Sequence, residues 1–223
     1  MLQPLAPDLW TCPVPLAFGG VQLGGRMTVL RLPGGLLLHS PVAPTDALVA
    51  EVRALGEPRW LVAPNDFHHH HLGAWPRQFP QAHVWGSTGV PAKQKGLSFT
   101  GTLQPGAEPG WGTDLPWLKL EGMPSVNEVL LFHAPSRTLI ATDFMFHLPN
   151  RSGITWMFAW ANGVSKNAKQ TPYFKFNIKD RAAYTRSVAP IRDWDVDRIS
   201  LTHHEVVETG GRELVATTLG WPK

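Results

Sequence analysis

Three short, largely apolar segments of this chain lead into side chains of the kind that bind metals. They span residues 60–64, 138–142 and 198–202. The first runs through Asn65 towards four consecutive histidines, residues 68–71, while Asp143 follows the second and His203 follows the third. Strand ends in an α/β layer point their next side chains into one shared crevice. Imidazoles and a carboxylate from three such ends form the donor set of a zinc or iron site.

The composition is that of a folded protein, and its charges are too scattered for nucleic-acid binding. The chain has 223 residues, of which 43% are hydrophobic and 17% charged. That length suits a single large α/β domain, residues 1–223. The net charge is +3, and four lysines come nearest to a basic cluster: Lys166, Lys169, Lys175 and Lys179. A stripe of cations that binds nucleic acid is denser than this, so we expect no nucleic-acid partner.

The sequence gives no sign of a membrane segment or of an oxidising compartment. No apolar run reaches the length of about 18 residues that a membrane span needs. The first residues lack the basic start and apolar stretch of a signal peptide. Cys12 is the single cysteine, so no intrachain disulfide can form, and we expect a buried thiol. The sequence therefore predicts a cytoplasmic protein with no membrane partner, and it leaves the oligomeric state open.

Hydrophobic periodicity predicts two β-rich halves, each followed by helices. In the first half it predicts strands at 26–31, 35–39, 59–63 and 82–85, with helices at 45–55 and 71–79. In the second half it predicts strands at 117–120, 126–132, 138–142 and 198–202, with helices at 180–190 and 211–218. Residues 86–116 are expected to be loops with one short strand, and residues 144–178 an insertion or helical lid. Two packed sheets with helices outside follow from this order.

The order of the motifs resembles that of the metallo-β-lactamase-fold superfamily. Its members carry H-x-H-x-D-H after a strand, then an Asp that closes a later strand, then a His that closes a strand near the C-terminus. The resemblance covers essentially the whole chain. In detail the chain is similar to a branch described only as a domain of unknown function, with Pro-Asn before His-His and Gly-x-Trp, and with a stretch like residues 128–143.

This resemblance implies both a fold and a cofactor. The fold is α/β (α+β), a metallo-β-lactamase-like four-layer αββα sandwich of two mixed β-sheets with helices outside. The cofactor is one or two zinc ions, with iron as an alternative. Aligned on Leu72-Gly73, the histidine run matches the superfamily motif in four places: Asp66 at its first His, His68 at its second His, His70 at its Asp and His71 at its last His.

The remaining superfamily ligands are matched only in part. Asp143 matches the bridging Asp, and His203 matches the late His. The middle His is missing near residues 122–124, which removes one usual ligand of the first metal, although His133 could replace it or cap a turn instead. The resemblance thus implies a ligand set and a pair of residues that could orient the attacking water. The ligands are His68, His71, Asp143 and His203, and the orienting carboxylate is Asp143 or Asp66.

Each candidate also has a structural interpretation. The histidine run could be a hydrogen-bonded loop, in which neighbours alternate in direction so that about two of the four face a site. Asp143 could cap the segment that follows it, and Asp66 could be a helix N-cap. His204 could orient a ligand from behind. Two further polar residues are expected in loops or at the surface: Glu128 and His147.

The residues imply metal-dependent hydrolysis of a small-molecule ester, lactone, thioester or amide. A metal-bound hydroxide would attack the carbonyl, and the metal would stabilise the oxyanion. Trp156 and Trp160 are candidates for the wall of the substrate pocket, which suggests an apolar acyl or ring group. Two alternatives stay open: a binding protein that keeps the fold without catalysis, and an iron-dependent redox protein acting on oxygen or sulfur compounds.

Overall fold

The structure is a computed structural model that describes residues 1–149, 151–203 and 205–221. Within these residues the strands are β1 (Gln3–Ala6), β2 (Leu9–Val14), β3 (Ala17–Phe18), β4 (Val21–Gln22), β5 (Gly25–Leu32), β6 (Gly35–His39), β7 (Pro58–Ala63), β8 (His83–Ser87), β9 (Gly101–Leu103), β10 (Trp117–Lys119), β11 (Val129–His133), β12 (Thr138–Ala141) and β13 (Arg198–Leu201). The α-helices are α1 (Asp46–Leu55), α2 (Val90–Lys93), α3 (Gly153–Ala161), α4 (Pro172–Phe176), α5 (Arg181–Val188) and α6 (Gly211–Leu219). Shorter 3₁₀ helices span Leu72–Arg77, Ala134–Ser136 and Ala189–Asp193.

The larger sheet is mixed and has seven strands in the order β1-β2-β5-β6-β7-β8-β9. Its first four strands pair antiparallel, and β6 to β9 pair parallel. The β5–β6 hairpin turns at Pro33-Gly34 and re-enters the sheet at Gly35. Gly35 has φ +135°, and a Cβ there would lie 2.9 Å from the Glu57 carbonyl oxygen. A glycine is therefore required where the chain turns back past the end of α1.

The smaller sheet is also mixed and has the order β10-β11-β12-β13. The first three strands pair antiparallel, whereas β12 and β13 pair parallel with Ala141 opposite Leu201. The parallel pairing places the C-terminal ends of β12 and β13 at the same edge. A short β3–β4 hairpin stands apart from both sheets.

Helices cover both outer faces, and α1 shows how the sequence places them. The Thr45 side chain accepts a hydrogen bond from the Leu48 N–H and so caps the first turn of α1. The buried side chains of α1 lie at one helical face: Leu48, Val49 and Val52. They pack against the larger sheet in a cluster that also contains Leu38 and Trp75. The spacing of apolar residues in α1 therefore decides which face meets the sheet.

Three apolar clusters define the layers of the fold. One joins the larger sheet to α1 and its neighbours, and another joins the smaller sheet to α4, α5 and α6. The third lies between the sheets, where Leu37 and Trp60 of the larger sheet share a cluster with Leu131 and Ile140 of the smaller sheet. Alternation along the strands sends successive side chains into different clusters. The result is the predicted sandwich of two mixed sheets with helices outside.

Most predicted elements are present with small shifts of their ends. The 26–39 hairpin, the 45–55 helix and the strands of the second half are confirmed. The predicted helix at 71–79 is instead a 3₁₀ helix, because Pro76 lies inside it and removes a backbone donor. The sequence did not predict strands β1 to β4, because their short, proline-rich segments show no clear alternation of apolar and polar residues. Cys12 is buried, as expected.

Among the described residues, the helices are all too short or too polar to cross a bilayer. The longest α-helix is α1, which has 10 residues, whereas a span needs about 20.

Candidate metal centre

Three strand ends meet at one edge of the two sheets. Asp143 follows β12 and His203 follows β13, so the parallel pairing of these strands places both residues side by side. The Val129 N–H donates to the Pro64 carbonyl oxygen (2.8 Å), which holds the end of β7 against the smaller sheet. His68, Asp143 and His203 each offer one ligand atom here, and these atoms all lie within 4.8 Å of one another.

The Asp143 carboxylate lies between the two imidazoles. Its Oδ2 is 3.5 Å from His68 Nε2, and its Oδ1 is 3.3 Å from His203 Nε2. Burial acts to raise the pKa of Asp143, but the imidazoles of His68 and His203 outweigh that effect and hold the pKa well below its usual range. Asp143 is therefore ionised at neutral pH, which is the form that binds a metal.

A backbone carbonyl fixes the protonation of the His203 ring. His203 Nδ1 lies 2.8 Å from the Gly24 carbonyl oxygen, which can only accept a hydrogen bond. Nδ1 must carry the proton, so in the neutral ring the Nε2 lone pair faces Asp143 and is free to bind a metal. The ring of Phe146 stacks on His203 at a centroid distance of 4.5 Å and limits its rotation.

Ser40 orients the ring of His68, but its hydroxyl can donate or accept and so does not select a tautomer. His68 Nδ1 lies 3.0 Å from Ser40 Oγ, so Nε2 again points towards Asp143. Ser40 follows β6 with φ +53°, a backbone conformation that turns the chain towards the histidine run. The His68 and His203 rings meet edge to face at a centroid distance of 5.2 Å. Each imidazole is thus oriented before any ion binds.

Asn65 connects the histidine run to Asp143. Its Nδ2 donates to Asp143 Oδ2 (2.7 Å) and to Thr142 Oγ1 (2.9 Å). Its Oδ1 accepts from the N–H groups of Phe67 and His68, both at 2.9 Å. One fully buried amide therefore fixes the position of two candidate ligands. In the sequence Asn65 stands out only as part of a motif, because its role depends on a contact across 78 positions of the chain.

Glu128 was expected in a loop or at the surface; it lies outside any regular element, directly before β11, but it is not at the surface. The residue is fully buried, because it precedes β11 and lies across from the end of β12. Its carboxylate accepts hydrogen bonds from the Thr142 N–H, the Thr142 hydroxyl and the Asp143 N–H. Burial, and then the charge of Asp143, raise the pKa of Glu128 to about 8. Glu128 thereby holds the turn that presents Asp143.

His39, at the end of β6, is a buried imidazole that the sequence analysis missed. It is 0% exposed, and neither ring nitrogen has a hydrogen-bond partner among the described residues. Burial, and then the nearby His68, lower the pKa of His39 to about 3, so the ring is neutral. Only its position after an apolar run, Leu36-Leu37-Leu38, could have suggested a role.

The sequence profile of DUF4336, a domain of unknown function, matches residues 7–156. This match covers well over half of the chain. The chain belongs to the DUF4336 family. The matched region contains the histidine run, Asn65, Glu128 and Asp143, and it ends before His203. No curated protein matches this DUF4336 protein.

Solved structures with the same fold are metallo-β-lactamases and a flavodiiron core. A metallo-β-lactamase from Pontibacter korlensis is 12% identical with a TM-score of 0.65, and the match covers 99% of this chain and 97% of that one. The mono-zinc form of FIM-1 from Pseudomonas aeruginosa is 14% identical with a TM-score of 0.60, over 99% and 94%. The metal-soaked Flv1 flavodiiron core from Synechocystis sp. PCC6803 is 10% identical with a TM-score of 0.66, over 99% and 60%. These likenesses establish a metallo-β-lactamase-like fold for this DUF4336 protein.

The structure does not bring all the predicted site residues together. His71 is exposed and lies outside the cluster, where it precedes the 3₁₀ helix that begins at Leu72. Its neighbour His70 is also exposed and stacks on His69, whose Nδ1 lies 2.8 Å from Gln94 Nε2. The chain curls into turns after His68, so consecutive histidines point in different directions.

Asp66 is buried but is engaged by other residues. Ser87 Oγ donates to its Oδ1 (2.9 Å), Asn127 Nδ2 donates to its Oδ2 (3.0 Å), and Lys93 Nζ lies 3.8 Å from Oδ2. A Cβ on Gly89 would collide with this carboxylate, so the loop closes tightly over it. Asp66 therefore joins the histidine run to β8 and α2 and lies outside the ligand cluster.

The other candidates occupy different parts of the fold. His133 Nδ1 lies 2.7 Å from Ser136 Oγ, at the end of β11 remote from Asp143, and so it caps a turn. Trp156 and Trp160 stack on each other and are 50% and 68% exposed. His204 lies outside the described residues. The assignment of Trp156 and Trp160 to substrate binding stays a prediction.

The donor set at the cluster fits a divalent metal ion. It consists of two imidazole nitrogens, whose other nitrogens are already hydrogen-bonded, and one ionised carboxylate. Zinc and iron both accept this combination. Asn65 and Glu128 supply the outer hydrogen bonds that keep such ligands in place.

Proposed function

We propose that this DUF4336 protein is a metal-dependent hydrolase with a single ion held by His68, Asp143 and His203. The observation that carries the proposal is the convergence of these three side chains from three strand ends. When bound, the ion would acidify a coordinated water and polarise the carbonyl of an ester, lactone, thioester or amide. Three protein ligands are typical of catalytic sites because they leave a position for water or substrate.

The chain's own residues would prepare the site for this chemistry. The Gly24 carbonyl holds the proton of His203 on Nδ1, and Ser40 orients His68, so both Nε2 atoms face the same space. Asn65 Nδ2 occupies one side of Asp143 Oδ2. Asp143 is the carboxylate left to orient a water, because Asp66 is bound to Ser87, Asn127 and Lys93.

A cleft beside Gly24 is the proposed entrance for a small substrate. Its volume is about 320 Å³, and it is lined by residues of four segments: Gln3, Pro13–Leu16, Gln22 with Gly24–Arg26, and Glu205. Gly24 lines this cleft, and its carbonyl also accepts from Nδ1 of His203, one of the three candidate ligands. A cavity of this size lies at the lower end of the range for small-molecule sites, which favours a compact acyl group.

The metal is proposed to be zinc, with iron as the alternative. Nitrogen and carboxylate ligands suit both ions. The similar folds include a mono-zinc metallo-β-lactamase and a flavodiiron core, which agrees with either choice. Iron would make a redox reaction on an oxygen or sulfur compound the chemistry to test.

A binding protein without catalysis is the second candidate, and one observation favours it. His71 and Asp66, which the superfamily motif would assign to metal binding, both lie outside the ligand cluster. A site reduced to one ion could hold a ligand or a structural metal without turnover. Retained metal with no turnover on any substrate offered would support this alternative.

The test is turnover on a panel of esters, lactones, thioesters and amides, measured before and after removal of metal with a chelator. We expect at least one substrate class to be hydrolysed, the activity to disappear with the chelator, and zinc or iron to restore it. Asp143→Asn should stay inactive after reconstitution, whereas His133→Gln, which alters a remote buried imidazole, should remain active. Turnover that survives the chelator would overturn the proposal.

A further inference from the structure

The insertion between Asp143 and Asp180 has an unbroken positive charge. Residues 144–179 contain no Asp or Glu, and their one arginine and four lysines give a formal charge of +5. These cations are Arg151, Lys166, Lys169, Lys175 and Lys179. The four lysines are exposed, while Arg151 pairs with Glu205 (3.2 Å). More than the whole net charge of the protein, +3, is therefore carried by this segment.

Within the insertion, α3 turns large apolar side chains towards solvent. Its buried positions are the small residues Thr155 and Ala159, one helical turn apart. Its exposed positions include Trp156, Met157 and Trp160, which are 50%, 61% and 68% exposed. The usual arrangement of a surface helix, with large apolar residues inside, is thus reversed.

The β3–β4 hairpin extends this apolar face. The Gln22 N–H donates to Thr155 Oγ1 (2.9 Å), and Gly20 faces the side chain of Ile154. At the tip of the hairpin Phe18 is 78% exposed. We name as the α3 surface the five large exposed apolar residues of these two elements: Phe18, Ile154, Trp156, Met157 and Trp160. Such a group on a soluble domain marks an interaction site.

We propose that the α3 surface docks this protein onto an anionic phospholipid membrane. Tryptophan is favoured at the level of lipid headgroups, where its ring meets both apolar and polar surroundings. The four lysines that follow α3 are complementary in charge to anionic headgroups, and each lysine near such a surface strengthens binding. With 9 residues and no charged side chain, α3 can enter the interface but cannot cross the bilayer.

Two other occupants of this surface are disfavoured, a second copy by charge and a single-stranded nucleic acid by the stacking of the tryptophans. In a symmetric dimer the same segment would face its copy, so that +5 would meet +5. In a complex with single-stranded nucleic acid, bases stack on free aromatic faces, whereas Trp156 and Trp160 stack on each other. The sequence analysis expected no membrane partner because no segment spans a bilayer, and peripheral docking needs no span. The proposal is independent of the metal centre.

Sedimentation with lipid vesicles tests the proposal on the full chain. We expect the wild type to sediment with vesicles of phosphatidylcholine and phosphatidylglycerol, and to stay in solution with phosphatidylcholine alone. The double variant Trp156→Ser with Trp160→Ser should lose at least about tenfold in partitioning. Replacing Lys166 and Lys169 with Gln should reduce partitioning about fivefold for each lysine. Added salt should weaken binding of the wild type.

The matched control is Lys95→Gln, which removes one exposed charge from a loop outside the insertion. It should partition like the wild type, and circular dichroism should show that every variant keeps its fold. Absence of binding to the anionic vesicles would overturn the proposal. The proposal would also be overturned if the tryptophan variant bound the vesicles as well as the wild type. A dimer in analytical ultracentrifugation that dissociates when Trp156 and Trp160 are replaced would overturn it too. Tighter binding to a single-stranded oligonucleotide than to the vesicles would also contradict it.

Discussion

At the metal centre, side chains that usually lie at the surface are buried, whereas on α3 side chains that usually lie in the core are exposed. The group at the metal centre includes Asn65 and Glu128, which are fully buried, and the partly buried Asp143; hydrogen bonds join these three residues through Thr142 and the β12 end. The exposed group has no such partners within the described part of the chain beyond its own ring stacking. Buried polar groups are stabilised by partners inside the fold, while exposed apolar groups require a partner outside it.

The two regions also differ in how their residues are held. Each candidate ligand has a second hydrogen bond that fixes its orientation, so the site is organised before an ion arrives. Helix α3 is anchored through the buried Thr155 and Ala159 and through Phe158, which packs against a small cluster with Leu148 and Val164. Changes at the metal centre should therefore alter affinity and stability, and changes on α3 should alter binding to a surface with little effect on the fold.

Among residues that are not themselves candidate ligands, the largest effect on metal affinity is expected for Asn65→Ala. The change removes the amide that touches both Asp143 and the backbone of the histidine run. Loss of such an outer partner lowers metal affinity by about 10–100-fold. Zinc affinity measured by competition with a chromophoric chelator would check this. Asn127→Ala is the matched control, because Asn127 donates to Asp66 and not to a ligand. An equal loss of zinc affinity in both variants would show that the site does not depend on Asn65.

A smaller effect, of the opposite sign, is expected for His39→Leu in the metal-free protein. His39 is the buried group of this region whose ring nitrogens find no partner among the described residues. Removing an unpaired buried polar group should raise the free energy of unfolding by about 1–3 kcal/mol. His133→Leu is the control. It removes the hydrogen bond between His133 Nδ1 and Ser136 Oγ, so this variant should not gain stability. A destabilised His39→Leu protein would mean that the imidazole is paired in solution, for example to a buried water.

His39 also predicts a dependence of stability on pH. Its pKa is about 3 in the folded protein, whereas the ordinary pKa of a histidine is 6.5. Between these values the unfolded chain binds a proton that the folded protein does not, so stability falls as pH decreases from about 6.5 to 3. Chemical denaturation at several pH values should show that His39→Leu weakens this fall. An identical slope in the variant would assign the acid sensitivity to other groups.

The smallest effect on stability is expected at α3. In the double variant Trp156→Ser with Trp160→Ser, each substitution should change the free energy of unfolding by no more than about 0.5 kcal/mol, because both side chains are exposed. Trp75→Ala, at a fully buried tryptophan, should cost about 3–5 kcal/mol. Denaturant titration separates these outcomes. A large loss of stability in the α3 variant would mean that this helix is covered by the protein itself.

The sequence predicts much of the fold because its strands and α1 carry clear periodicity. Pro33-Gly34 marks the hairpin turn and Thr45 caps α1, and both signals are local. The sequence also names the three residues that the structure brings together, since each directly follows a strand or its turn: His68, Asp143 and His203. It could not choose among the four histidines, because the turns after Asn65 set their directions.

Other features depend on contacts that no local pattern contains. The roles of Asn65 and Glu128 come from hydrogen bonds to Thr142 and Asp143, which lie across the sheet edge. The position of Asp66 depends on Ser87 and Asn127, whose hydrogen bonds hold its carboxylate outside the ligand cluster. The sequence assigned Trp156 and Trp160 to the wall of a pocket, and their arrangement on α3 depends on how Thr155 and Ala159 pack, which no local pattern determines.

Titration of the metal-free protein with zinc, monitored by competition with a chromophoric chelator, tests the central claim most directly. We expect one ion per chain, with at least about a 100-fold loss of affinity in His68→Ala and His203→Ala, since removal of a ligand exceeds the loss of an outer partner. His71→Ala should bind like the wild type, because His71 is exposed and outside the cluster. Two ions per chain, or a loss of affinity in His71→Ala equal to that in His203→Ala, would contradict the three-residue site.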